Sequence, residues 1–486
     1  MDQHLPFGTE QPELDVVIVG AGLSGLTSAV KLLAKETTLN IRILDENSHP
    51  GGQLGQTGSG FRYVDEGQHD MLAFMNDMQV LPRNRRCANA ELQRCWSLDR
   101  GPTAQPAKFE LCRYIQMLNL RMGRFRSKKF ILRERVPSME RHITSNLFFS
   151  KSRSFMRNFV ELVCGVHASA VDYDTFMSVC SSCGGLAVLL DFYFKFPNTF
   201  LELSTQKLIE SILEKIQYIT ITQNVRVVRV QHFKDYVELT DAQGKKYTAL
   251  ALILAIPWNK VEQIQFEPPI PKDFCPPPKA KLKPGRLITQ FSLSYSKCHW
   301  AEAGYSGNFL SSKPLVCGHE CRQATYCGYM VHSAQESDSV RQTVLDLLSS
   351  HFGDEMREPL KYQQSTTELS MARHKPQVTP WHRVIWSSSS AVATNYRSLM
   401  GGAVQSGVRA AVSALFVVRP QLVSWVDMLE VRETNPYERC RPPDRISSLL
   451  SRLNLYNVTF YSFFILGLLW LLKIGYCHAI RTHSSS

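Results

Sequence analysis

The first twelve residues hold no apolar run of the kind that leads a secretory signal, so the fold is expected to begin in the cytosol. The cysteines lack a framework. There are thirteen, an odd number with irregular spacing, which predicts reduced, buried thiols rather than disulfides. Acidic residues are in deficit, 43 against 55 Lys and Arg, and leave a formal charge of +12. A surplus of that size suggests contact with an anionic surface, either nucleic acid or the cytoplasmic face of a membrane. Nucleic-acid motifs are absent even around residues 121–141, where eight Lys or Arg meet only Glu134 and Glu140, so no nucleic-acid partner is assigned and a solvated basic segment is expected there. Metal signatures are thin as well. Cys180-Ser-Ser-Cys183 has no second CxxC, and Cys317, His319, Cys321 and Cys327 could furnish four zinc ligands by spacing, but no metal is assigned.

What is present organises the chain from its N-terminal end. With 486 residues it exceeds what one hydrophobic core usually organises, which predicts two interleaved domains with appendages. The stretch Asp15-Val-Val-Ile-Val-Gly-Ala-Gly-Leu-Ser-Gly25 reads as a buried strand, a glycine turn and the start of a helix, with Gly20, Gly22 and Gly25 completing GxGxxG. In a dinucleotide fold the first glycine allows the turn, the second lets a pyrophosphate approach, and the third lets helix pack on strand. The helix from Leu23 and Ser24 onward would aim its free N–H groups at those phosphates. A second strand, Leu39 to Leu44, ends at Asp45, placed to accept from ribose hydroxyls. A ligand-free glycine turn is the alternative. Gly51-Gly52-Gln53 then gives a second point of close backbone approach.

From here the sequence resembles the flavin amine oxidases. Strand, GxGxxG, helix, strand, acidic residue and paired glycines follow the order of their FAD signature, and Phe61-Arg-Tyr-Val-Asp-Glu-Gly67 is similar to their "VDLGG" strand. Asn224 to Val230, Tyr236 to Thr240 and Lys246 to Leu250 alternate as a meander. The apolar run Ala251 to Ile256 then suits a strand buried on both faces. With Pro257 and Phe266-Glu-Pro-Pro-Ile-Pro271, this resembles the second FAD segment, and by that match Val227 would hold adenine through its backbone. The third segment, Val384 to Ala411, resembles the flavin-closing motif. Met400 and Ala403 would stand at the helix N-terminus that meets the flavin, and Ser389 and Ser390 where the ribityl contacts belong.

Several family features are replaced. Gln53 stands where an arginine follows the glycine pair, and Gln68 where the second glycine of "VDLGG" falls. Gln290, ten residues before Trp300, takes the place of the family's lysine, and Leu399 the place of an aromatic cage residue, with Tyr396 nearby. These three residues are expected to face the flavin. The segment between Lys361 and Trp381 lacks the cysteine that bonds to flavin, so FAD is expected to be non-covalent.

The resemblance is to a divergent monoamine oxidase. It implies an α/β fold in which a Rossmann-type FAD-binding domain (1–87, 206–266 and 381–418) is interleaved with an α+β substrate domain, helical over 88–205 and a sheet over 267–380. After a linker over 419–452, residues 453–472 carry no charge; at 1.5 Å per residue they span about 30 Å, enough to cross a bilayer core. A tail anchor is expected, with the bulk of the chain in the cytosol. Flanking Arg445, Arg452, Lys473 and Arg481 favour the mitochondrial outer membrane over the endoplasmic reticulum. The implied reaction is oxidation of an amine by O2 to imine and peroxide, on a small-molecule amine, with a homodimer compatible. The alternatives are a catalytically degenerate, membrane-anchored FAD-binding scaffold, and an oxidase with another substrate.

Overall fold

The computed structural model describes residues 5, 7, 8, 11–55, 61–65, 67–84, 105–125, 137–194, 200–271, 274, 286–307, 309–312, 314–368, 378–431 and 455–483. Most of the basic stretch over 121–141, most of residues 272–285 and residues 432–454 therefore lie outside the described residues.

The first sheet grows around β1 (Leu14–Val19), whose Val16, Val17 and Ile18 are fully buried. It pairs in parallel with β2 (Ile41–Leu44) on one side and β9 (Lys246–Leu254) on the other, and β2 pairs with β6 (Thr220–Thr222). Parallel strands covered on both faces need apolar residues at successive positions, which is what β1 supplies. Lys246 to Leu250 and Ala251 to Ile256, expected as two strands, form one, because β9 changes partner along its length. Residues 246–249 pair antiparallel with β8 (Val237–Asp241), and Leu252–Leu254 pair parallel with β16 (Val384–Trp386). β7 (Val227–His232) and β10 (Gln265–Glu267) complete the sheet beyond β8. On one face α1 (Leu23–Lys35), α2 (His69–Asp77), α8 (Thr205–Lys215) and α12 (Met400–Val418) close a core around Ile18, Leu26, Ile253 and Ala411. The other face carries Val17, Leu252, Trp381 and Trp386.

A five-stranded antiparallel sheet lies in the order β12 (Phe309–Ser312), β13 (Leu315–Arg322), β14 (Thr325–Ser333), β11 (Arg286–Ser294), β15 (Lys361–Glu368). Residues 317–321, which carry the cysteine and histidine spacing noted from the sequence, are strand. The turn comes after them, between Arg322 and Thr325. Alternation sends Phe291, Val316 and Met330 to a core with Trp300 and α11 (Val340–Phe352). The opposite face, with Ile288, Cys317, Tyr329 and Val331, meets a cluster built by α3 (Gln105–Phe125), α4 (Met139–Asn146), α5 (Ser150–Cys164), α6 (Tyr173–Ser182) and α7 (Leu186–Phe194). A small sheet of β3 (Phe61–Asp65), β5 (Phe200–Ser204) and β4 (Arg83–Asn84) bridges the two regions.

Among the described helices, Met400–Val418 is long and apolar enough to cross a membrane, but it is mostly buried and serves as a core helix. The C-terminal helix Leu455–His483 differs. From Tyr461 to Ile474 its large apolar side chains are exposed on every side, Phe463 at 76% and Trp470 at 64%.

Candidate functional site

One cavity of about 660 Å³ runs from the glycine turn at the end of β1 to the inner face of the antiparallel sheet, within the size range of small-molecule sites. At its first end the three glycines do three different things. A Cβ on Gly20, whose φ is +105°, would lie 2.5 Å from the Ala255 carbonyl oxygen, and one on Gly25 would lie 2.0 Å from that of Gly20. Gly22 has nothing within 4 Å of that position and faces the cavity. It also precedes α1 with no side-chain cap, so the first-turn N–H groups around Leu23 and Ser24 open toward the cavity without a described side chain to satisfy them. The Gly51–Gly52 loop packs against this turn: Gly51 N–H donates to the Ala21 carbonyl at 2.8 Å, and a Cβ on Gly52 would lie 3.0 Å from the Gly22 Cα. Gln53 lies beside them on the cavity wall.

Asp45, at the end of β2, is buried yet lines the cavity. Its carboxylate accepts from Ala21 N–H on one oxygen and from Asn47 N–H at 2.7 Å and Asn47 Nδ2 at 2.9 Å on the other. An ionised carboxylate accepts about four hydrogen bonds, so capacity remains for a ligand. Val227 at the start of β7 forms the next stretch of wall. Past β16 the chain continues as Ser387 to Ser390, all lining the cavity. Ser387 is 1% exposed and its Oγ has no partner among the described residues, so this buried hydroxyl is available to a ligand. Ser389 is held by its carbonyl, which accepts from Ser398 N–H at 2.9 Å.

Leu399, Met400 and Ala403 bring the start of α12 to the cavity. Here Gln68 reaches across, and its Oε1 accepts from the Gly401 N–H at 3.0 Å, so one first-turn donor of this helix is already taken by the chain itself. The far wall is the antiparallel sheet. Gln290 and Tyr329 are register partners and face the cavity, with Cys317 opposite Tyr329 on the next strand. Burial pushes the Cys317 thiol up to about 12, which keeps it protonated. Arg62 enters from β3 and donates to the Tyr329 phenol oxygen at 2.7 Å.

Most residues expected from the sequence are thus gathered at one cavity. Gly25 is not on its wall but packs beneath it, and Tyr396 is not on its wall either: its ring joins the helical cluster, with its hydroxyl against Gly67. Tyr396 and Ser398 take φ of +47° and +63°, a tight reversal that turns the tyrosine away from the cavity. Against the expected reduced thiols, Cys321 and Cys327 form a disulfide, which leaves those two sulfurs unavailable as zinc ligands. Arg62, Gln68 and Ser387 were not assigned roles from sequence. Arg62 and Ser387 stood inside stretches already matched, and only the fold shows where their side chains go.

The flavin-containing amine oxidoreductase family matches residues 23–415. The chain belongs to that family. The chain has the fold of cyclohexylamine oxidase from Brevibacterium oxydans IH-35A, with a TM-score of 0.66, 17% identity and coverage of 83% of this chain and 99% of that one. Putrescine oxidase bound to putrescine is similar, with a TM-score of 0.63, 18% identity and coverage of 82% and 98%. No curated protein sequence matches significantly. The family implies a flavin cofactor, and the open glycine cradle, the uncapped helix start and the orphaned Ser387 hydroxyl fit one.

Proposed function

We propose that the protein is an FAD-dependent oxidoreductase that takes a hydride from the carbon beside an amine nitrogen and passes the electrons to O2. The observation that carries this reading is the continuity of the cavity: the nucleotide cradle at Gly22 and Asp45 opens into the space bounded by Gln290, Tyr329 and Leu399. FAD, when bound, supplies the redox chemistry. The chain supplies position and polarity. The α1 N-terminus would hold the pyrophosphate, Asp45 the ribose, Val227 the adenine side, and Ser387, Ser389 and Ser390 the ribityl chain. Binding is non-covalent in this reading, since residues 328–439 contain no cysteine. Arg62 brings into the cavity the positive charge that Gln290 does not, and Tyr329 orients it. The two larger sheets support a division into FAD-binding and substrate portions. The C-terminal helix, apolar on every described side, is proposed to anchor the chain in a membrane, the mitochondrial outer membrane in preference to the endoplasmic reticulum, with the rest facing the cytosol.

Leu399 and the uncharged Gln290 favour a second reading, an FAD-binding scaffold without amine turnover. Anaerobic addition of amines to purified full-length protein, followed at the flavin band near about 450 nm, separates the two. Bleaching by an amine supports the oxidase. A flavin that no amine bleaches supports the scaffold, and protein without flavin overturns both.

A further inference from the structure

The cavity wall carries a disulfide that neither the family match nor the amine chemistry uses. Cys321 on β13 and Cys327 on β14 face the same cavity as Gln290 and the glycine turn. Their Cα atoms are 5.8 Å apart, a normal disulfide separation. Cys321 is the extra residue of a bulge, where the β13–β14 register shifts between Glu320 and Arg322, and Cys327 lies opposite His319. Bulges beside active sites re-aim side chains.

A structural role explains this bond poorly. The two cysteines are six residues apart in a hairpin that is already paired from Leu315 to Arg322. Cross-linking so short a loop removes less entropy from the unfolded chain than closing a long one does. Both residues are close to buried, at 6% and 5% exposure, so the opening beside them is the cavity and not bulk solvent. His319, the register partner of Cys327, faces the same cavity and sets an imidazole beside the pair for proton exchange. Cys317 stands apart as a buried, protonated thiol.

We propose that Cys321 and Cys327 form a redox-active pair that exchanges two electrons with the bound flavin. In one direction the S–S bond breaks, the reduced cofactor supplies two electrons and a proton, solvent supplies the second proton, and two thiols and oxidised cofactor result. In the other direction the thiols close to the disulfide, and the electrons leave through the cofactor to O2, giving hydrogen peroxide. The pair thereby acts as a two-electron store beside the cofactor, and a small dithiol is the class of external reductant able to charge it by thiol–disulfide exchange. This proposal rests on the flavin reading given above.

The test is an anaerobic dithionite titration of full-length, flavin-loaded protein, with alkylation of new thiols and peptide mass analysis at each point. Wild type is expected to take up about four electrons per flavin, against about two for a flavin alone. Alkylation should appear at Cys321 and Cys327 only when flavin is present. The double variant Cys321→Ser/Cys327→Ser should keep its flavin and take up about two electrons. Bound flavin in the wild type with two-electron uptake, or thiols that appear equally in flavin-free protein, overturns the proposal and leaves the flavin reading intact. A chain that neither carries nor takes up flavin overturns both.

Discussion

Arg62 and Tyr329 tie the small bridging sheet to the antiparallel sheet: the guanidinium donates to the phenol oxygen at 2.7 Å, and both side chains line the cavity beside Gln290. On the proposed reading, a charge in this place would stabilise negative charge developing on the flavin. Replacing Arg62 by Met is expected to slow reoxidation of reduced flavin by O2 on the order of 100-fold, the scale of one preorganised donor, with flavin content unchanged. Stopped-flow mixing of reduced protein with oxygenated buffer measures it. Unchanged reoxidation would remove Arg62 from the chemistry.

Two glycines of one motif should respond differently to alanine. The Gly22 position is open, so Gly22→Ala should leave the thermal stability of flavin-free protein unaltered while weakening flavin binding at least about tenfold, because the methyl enters the space a pyrophosphate needs. A Cβ at Gly25 would lie 2.0 Å from the Gly20 carbonyl oxygen, so Gly25→Ala should destabilise the fold by about 1–3 kcal/mol, as overpacking does. Thermal unfolding and flavin titration of both variants distinguish a ligand contact from a packing contact.

That contrast marks how far the sequence could be read. The glycine turn, Asp45, Val227 and the Met400 helix are contiguous motifs in which spacing fixes geometry, and they meet at one cavity. Tyr396 lies off the cavity wall, because nearness in sequence to Leu399 says nothing about a left-handed residue that reverses the chain. Arg62 and the Cys321–Cys327 pair were missed because their significance depends on partners 267 and 6 residues away across separate strands. The continuous β9 escaped for a similar reason: two patterns, one alternating and one wholly apolar, belong to a single strand that changes neighbours.

Acid sensitivity should come from a buried histidine. Burial, with His382 and Arg383 nearby, lowers the His232 pKa from 6.5 to about 4, and neither ring nitrogen has a partner among the described residues. The unfolded chain binds this proton between those values and the folded chain does not. The contribution is therefore complete above pH 6.5 and falls away as pH drops toward 4, by up to about 1.4 kcal/mol per pH unit. His232→Phe keeps the ring that meets Trp381 edge-on at 4.8 Å and removes the titration. Urea unfolding should show equal or greater stability at pH 7 and a shallower acid limb.

Removal of residues 453–486 is expected to move the protein from carbonate-resistant membranes to the soluble fraction without loss of flavin, because the apolar side chains of the described part of that helix lie exposed, outside the core clusters. Retention in the membrane pellet would place the attachment elsewhere.

The divided pairing of β9 also dictates an order of events. β1 has one neighbour, β2, close in sequence, but the other, β9, lies more than 200 residues later in the chain, and the short β16, hydrogen-bonded to the last residues of β9, comes later still. Contacts of such sequence separation form slowly. The cradle made at Gly20 is therefore among the first segments to leave the ribosome and among the last to be completed. On the proposed reading, cofactor capture would fall late in synthesis, and loading with flavin and delivery of the apolar C-terminal helix to a membrane would compete for the same short interval.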